Sequence, residues 1–196
     1  MKQFGPEALV QMMRQMGVYS FLDPVNSLCV GAADISVYEM VAAYNTFPSK
    51  GVYVTPMFVT RIEDNQGNLL SEFTNKKREA ISEQTAYLMA NMMQGVVNGG
   101  TASRLRGRYG LNGQIAGKTG TTSDWYDLMF VGLNPDFVSG VWIGYKENKE
   151  IKNHWSLSSP RVWKNIIGEW IVNHYYDDDF EKDFPACDTV VVGHVC

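Results

Sequence analysis

The sequence predicts an α/β (α+β) fold in which an antiparallel sheet is flanked by helices, and three observations carry that prediction. Three strand-like segments follow one another with only short turns between them: one through Lys118-Thr119-Gly120, one ending at Leu133, and one from Phe137 to Tyr145. Such short turns dictate an antiparallel meander, because a parallel return needs a crossover of a dozen residues or more. Before the meander, Ser82 caps a helical pattern closed by Gly99-Gly100. After it, Ser159 and Pro160 open another, with Trp163, Ile166, Ile167, Trp170 and Ile171 on its buried side.

At the start of the chain, Pro6 to Met16 reads as a helix with proline in its first turn and Glu7 at its positive end. Leu9, Met12, Met13 and Met16 form its core stripe, and Gly17 stops it. An irregular connection, Phe21 to Gly31, leads to Ser36, which forms a capping box with Glu39. Ile35 and Met40 are placed as a hydrophobic staple, so Val37 to Phe47 is expected to be helical. Pro48-Ser49-Lys50-Gly51 turns the chain into short strands at Val52 to Val54, Met57 to Ile62 and Leu69 to Phe73, the last two joined through Asp64 to Gly67. Lys76-Lys77-Arg78 reads as a solvated connector.

The helix after Ser82 is expected to pack on the sheet through Leu88, Met89, Met92, Met93, Val96 and Val97. In the loop Thr101 to Asn112, Arg104, Arg106 and Arg108 are ordinary surface charge or a rim for acidic peptides; the first reading is preferred. Asp177-Asp178-Asp179 lacks the glycine-turn framework of a cation loop. Phe180 to Cys196 reads as a tail whose Val190-Val191-Val192 adds an edge strand.

The chemistry concentrates in Gly113 to Thr122, where one lysine, three threonine hydroxyls and three glycines fall within ten residues. A phosphate-cradling loop needs four residues between its first glycine and Gly117-Lys118-Thr119, which puts that glycine at Asn112, and a helix afterwards. Neither condition is met. An edge strand lining an acyl-transfer pocket fits better: a lysine to hold a substrate carboxylate, Thr119 and Thr121 on one face to orient it, and Gly120 to admit another backbone.

Around that strand the chain resembles the transpeptidase domain of penicillin-binding proteins, most closely the class A (bifunctional) group. The resemblance rests on Gly100-Thr101-Ala102, Gly117 to Thr122, Asp127 with Phe130-Val131-Gly132, and Gly140-Val141-Trp142-Ile143-Gly144-Tyr145. It implies residues 1–176 as the carboxy-terminal portion of that domain and 177–196 as a tail. It also implies Lys118 and Thr121 as catalytic, with the Thr121 N–H an oxyanion donor, and Lys118, Thr119, Gly120 and Thr121 as substrate-binding. The implied parent attacks a stem peptide ending in D-Ala-D-Ala with a serine, cross-links peptidoglycan, and is trapped by β-lactam antibiotics. It works at the extracytoplasmic face of a bacterial membrane, in the cell envelope, anchored by a segment outside these residues.

The sequence departs from that family in one respect: it contains no S-x-x-K, S-x-N or Y-x-N. The nucleophile is expected upstream, in the amino-terminal half of the same domain, so the chain alone is expected to be inactive and its uncovered apolar surface to favour self-association. Composition is that of a globular class, 45% hydrophobic and 19% charged with net charge −4, and implies no nucleic-acid partner. No cofactor and no metal are expected: Cys29, Cys187 and Cys196 lack paired zinc spacing, although a Cys187–Cys196 bridge suits an oxidising compartment. His154, His174 and His194 have no serine partner in a hydrolase context. A D,D-carboxypeptidase or β-lactamase, and a non-catalytic interaction module, remain the alternatives.

Overall fold

A computed structural model describes residues 3–152, 159–165 and 183–190. Helix α1 (Gly5–Gln15) is followed by a short 3₁₀ helix (Asn26–Val30) and by α2 (Val37–Tyr44). Strands β1 (Val52–Val54), β2 (Arg61–Glu63), β3 (Leu69–Glu72) and β4 (Lys77–Glu79) precede the long helix α3 (Glu83–Asn98) and the single turn α4 (Arg104–Gly107). The meander β5 (Ala116–Thr121), β6 (Asp127–Leu133) and β7 (Val138–Gly144) then leads to α5 (Ser159–Trp163).

The sheet is antiparallel in the order β5-β6-β7, with Lys118 opposite Val131 and Val131 opposite Gly140. Its two faces carry separate cores. On one, Ala116, Leu133 and Val138 join a cluster built from α1, α2 and α3; a Cβ at Gly140 would meet Val41 at 2.8 Å, so α2 rests directly on the sheet there. On the other, Phe130 packs edge-on to Trp163 of α5 among Val97, Ala102, Leu105 and Ile115. Ser159 Oγ donates to Met129 O at 3.0 Å and Trp163 Nε1 to Ser139 Oγ at 2.8 Å, which fixes α5 against β6 and β7.

Several elements differ from the sequence expectation. Helix α2 ends at Tyr44, because Thr46 and Phe47 bond three residues back and Pro48 has no N–H to continue the ladder. Of the expected strand from Met57 to Ile62 only Arg61 and Ile62 are paired, with the pairing running on to Glu63; Phe58 instead stacks on Tyr38 at 5.9 Å. Lys77–Glu79 is a strand and not a connector: it pairs with Val52–Val54, and Arg78 donates to the last carbonyls of α1, Arg14 O and Gln15 O, both at 2.9 Å. Met12 is exposed, leaving Leu9, Met13 and Met16 on the core.

Helix α3 does pack on the sheet, but through Ala86, Ala90, Met93 and Val97, with Leu88 and Met92 facing outward. Alanine lets a helix axis approach a strand closely, and a count of large apolar residues misses that face. Within the stretch read as tail, Phe184 is buried in the α2–α3 core and Asp183 accepts from Gln114. Cys187 is buried with its thiol 3.2 Å from Thr189 Oγ1. The expected positions 166–171, Asp177 to Asp179, Val191 and Val192, Cys196 and the three histidines lie outside the described residues.

Candidate active site

Among the described residues β5 is an edge strand, and its hydrogen bonds show which groups face the open side. Thr122 donates its N–H to Asp127 O at 3.1 Å, and the Asp127 N–H returns to Thr122 Oγ1 at 2.8 Å, closing the turn into β6. In an antiparallel ladder, successive residues point their N–H and C=O to opposite sides. Counting back from Thr122, the N–H groups of Thr121 and Thr119 turn away from β6 to the open edge. The Lys118 ammonium agrees with this, because its Nζ donates to Thr119 O at 2.7 Å from outside the ladder. A hairpin, with no helix, follows the glycine-lysine-threonine stretch, which removes the phosphate-loop reading.

Side chains alternate across the same strand. Thr119 and Thr121 share the face of Gly117, whose Cβ position lies 2.6 Å from the Phe130 ring; Lys118 and Gly120 take the face of Val131 and Met129. Lys118, Gly120 and Thr121 are exposed and Thr119 is half-buried. The arrangement therefore offers one ammonium, two hydroxyls and two outward N–H groups along a single open edge. Groups of these kinds, so placed, can bind a carboxylate and stabilise an oxyanion.

The surrounding residues hold that edge in place. Arg106 donates to Asn98 Oδ1 at 3.1 Å, Leu111 O at 2.7 Å and Gly113 O at 2.6 Å, so it pins the loop that feeds β5. Burial lowers its pKa from the ordinary guanidinium value, and its Nε, Nη1 and Nη2 each donate once inside the fold. Gln94 Nε2 donates to Gln114 Oε1 at 2.9 Å, tying α3 to the same loop. At the far end, Trp142 Nε1 donates to Asp127 Oδ1 at 2.9 Å, and a Cβ at Gly144 would meet that indole at 2.4 Å. Asp127, Trp142 and Gly144 thus have a structural reason to occur together.

Nothing in the sequence gives Thr101 a role of its own. The structure places its Oγ1 2.7 Å from Thr119 Oγ1. Its position follows from the close of α3: Ala102 N–H bonds to Val96 O at 3.0 Å, and a Cβ at Gly100 would meet Val96 Cα at 2.8 Å. A turn this tight carries Thr101 from the end of α3 to β5.

The profile of the family described as penicillin binding protein transpeptidase domain matches residues 3–164. Penicillin-binding protein 1A of Aquifex aeolicus (strain VF5) is 32% identical over 179 residues, which make up 90% of this chain and 24% of that protein. The crystal structure of penicillin-binding protein 1A from Haemophilus influenzae superposes with a TM-score of 0.78 at 19% identity, covering 93% of this chain and 32% of that one. The PonA1 protein from Mycobacterium tuberculosis in complex with penicillin V gives 0.69 at 21% identity, covering 92% and 52%. The two structures share the fold. This chain spans about a quarter or less of the length of the curated relatives it matches. With the profile matched over most of its length and the lysine-threonine-glycine strand at the open edge of its sheet, the chain belongs to the penicillin-binding protein transpeptidase domain family.

Proposed function

We propose that this chain is part of a peptidoglycan D,D-transpeptidase and supplies the substrate-holding edge of its active site. The observation that carries the reading is the open edge of β5, where Lys118, Thr119 and Thr121 stand beside outward N–H groups. In this reading a serine outside these residues attacks the carbonyl between the last two D-alanines of a stem peptide. The Thr121 N–H binds the oxyanion as the tetrahedral intermediate forms. Release of D-alanine leaves an ester on the serine, and an amine of a neighbouring peptide attacks it, forming the cross-link and freeing the serine. Lys118 and the two threonine hydroxyls hold the substrate carboxylate, and Gly120 leaves room for the substrate backbone. β-Lactams occupy the same edge.

The chain carries no serine-x-x-lysine, so by itself it neither acylates nor turns over. Among the described residues no helix is long and apolar enough to cross a membrane. The relatives are bacterial penicillin-binding proteins, which supports an extracytoplasmic site of action in the cell envelope for the parent. Exposed Phe58, Val59 and Leu70 support the expectation that the separate chain self-associates.

The test is to incubate this chain and the full-length product of its gene with a fluorescent penicillin and look for denaturation-resistant label. Label on the full-length product only is expected. Label on neither favours a non-catalytic module, and label on this chain alone overturns the assignment of the nucleophile to residues outside it.

A further inference from the structure

We infer that Thr101 is a positioning residue that sets the direction of the Thr119 O–H bond, an inference that rests on the transpeptidase reading. The two hydroxyl oxygens lie 2.7 Å apart, close enough for one strong hydrogen bond with a single proton between them. Each hydroxyl has one proton to donate and two lone pairs to accept with. When Thr119 donates to Thr101, its proton is used and it meets a carboxylate with lone pairs only, which repels the anion. When Thr101 donates to Thr119, the Thr119 proton is free and points to whatever lies along the open edge. A bound carboxylate selects the second arrangement, and the Thr101 donation strengthens the Thr119 donor by polarising it.

The fold supports this as a fixed arrangement. Val97 and Ala102, on either side of the Gly99-Gly100 turn, are fully buried against the Phe130 and Trp163 cluster, and Gly100 lies against the Val96 backbone with no space for a Cβ. Phe130 is in turn the cross-strand partner of Thr119. One core therefore holds both threonines, and Thr101 is itself exposed, so its side chain is not needed to fill that core.

The test uses the full-length gene product as wild type and as Thr101→Val, Thr101→Ser and Thr101→Ala. Acylation rates are read with a fluorescent penicillin bearing its free carboxylate and with the methyl ester of the same compound, and melting temperatures check folding. Thr101→Val is expected to acylate about threefold more slowly with the free acid, because Thr119 keeps its proton but loses the one neutral hydrogen bond that orients and polarises it. Thr101→Ser is expected to stay near wild type, Thr101→Ala to follow the valine variant, and the ester to react at one rate with all four proteins. Equal slowing with acid and ester, or a valine variant at the wild-type rate, overturns the inference alone. Wild-type protein that takes no label overturns the transpeptidase reading and this inference with it.

Discussion

Glu39, in the first turn of α2, reaches back nineteen residues to Ser20, accepting from its N–H at 2.8 Å and its Oγ at 2.5 Å. The same carboxylate accepts from Tyr19 N–H at 2.7 Å and Ser36 Oγ at 2.9 Å, so one side chain caps α2 and ties it to the segment leaving α1. These bonds, the Ser20 hydroxyl first, lower its pKa from 4.5 to about 2.

A lowered carboxylate pKa means that the stabilisation is complete above the unfolded-state value of 4.5 and is lost as pH falls toward about 2. Glu39→Gln keeps the shape but loses the charge. It is expected to melt below wild type at pH 7, by about 2–5 °C, the size of the charge lost from its hydrogen bonds to Ser20, Tyr19 and Ser36, screened by nearby water. The gap between the two proteins should close between pH 4.5 and 2. Parallel melting curves across that range, with a constant gap, count against the carboxylate tie.

Gly132 illustrates a different kind of constraint. A Cβ there would lie 2.5 Å from the Trp163 indole and 2.9 Å from the Phe130 ring. Gly132→Ala forces α5 off the sheet or Trp163 out of its rotamer, at a cost of about 1–3 kcal/mol. Denaturant unfolding followed by tryptophan fluorescence measures both the lost stability and the changed indole environment. An alanine variant as stable as wild type would mean that Trp163 packs elsewhere.

The capping box at Ser36 and Glu39 is legible in the sequence because its partners lie three residues apart, and the meander is legible because its turns are short. What the sequence conceals depends on distant partners. Arg78 looks like loop charge until α1, more than sixty residues away, offers it two carbonyls, and its guanidinium then lies 4.4 Å from the Tyr53 ring centre. The face of α3 is concealed for another reason: Ala86 and Ala90 are too small to register as a hydrophobic stripe, although they face the core where Leu88 and Met92 do not. Likewise nothing local to Thr101 points to Thr119.

Arg78→Ala, which removes two hydrogen bonds to carbonyls at the end of α1 and a cation–π contact, is expected to cost about 1–2 kcal/mol. Arg78→Lys recovers little of it, because an ammonium lacks the planar fork that reaches Arg14 O and Gln15 O together. Amide exchange in the last turn of α1 should quicken in both variants. Unchanged exchange there would place the stabilising role of Arg78 in its contacts with Tyr53 and the Tyr19 hydroxyl.

Two glycines of β5 separate what the fold needs from what a ligand needs. At Gly117 a Cβ would lie 2.6 Å from the Phe130 ring and 2.7 Å from Val131 O, so Gly117→Ala is expected to lower stability by about 1–3 kcal/mol. At Gly120 the nearest atom is Met129 Cβ at 3.5 Å, an ordinary contact, and the residue is exposed, so nothing within the described chain requires glycine there. If a peptide backbone or a β-lactam lies along the open edge, a side chain at 120 stands in its path. Gly120→Val in the full-length protein should therefore melt near the wild-type temperature yet acylate with fluorescent penicillin at least about tenfold more slowly, a barrier increase near 1.4 kcal/mol. The opposite pairing, a destabilised Gly120→Val that still acylates at the wild-type rate, would mean that the ligand approaches this strand from somewhere other than its open edge.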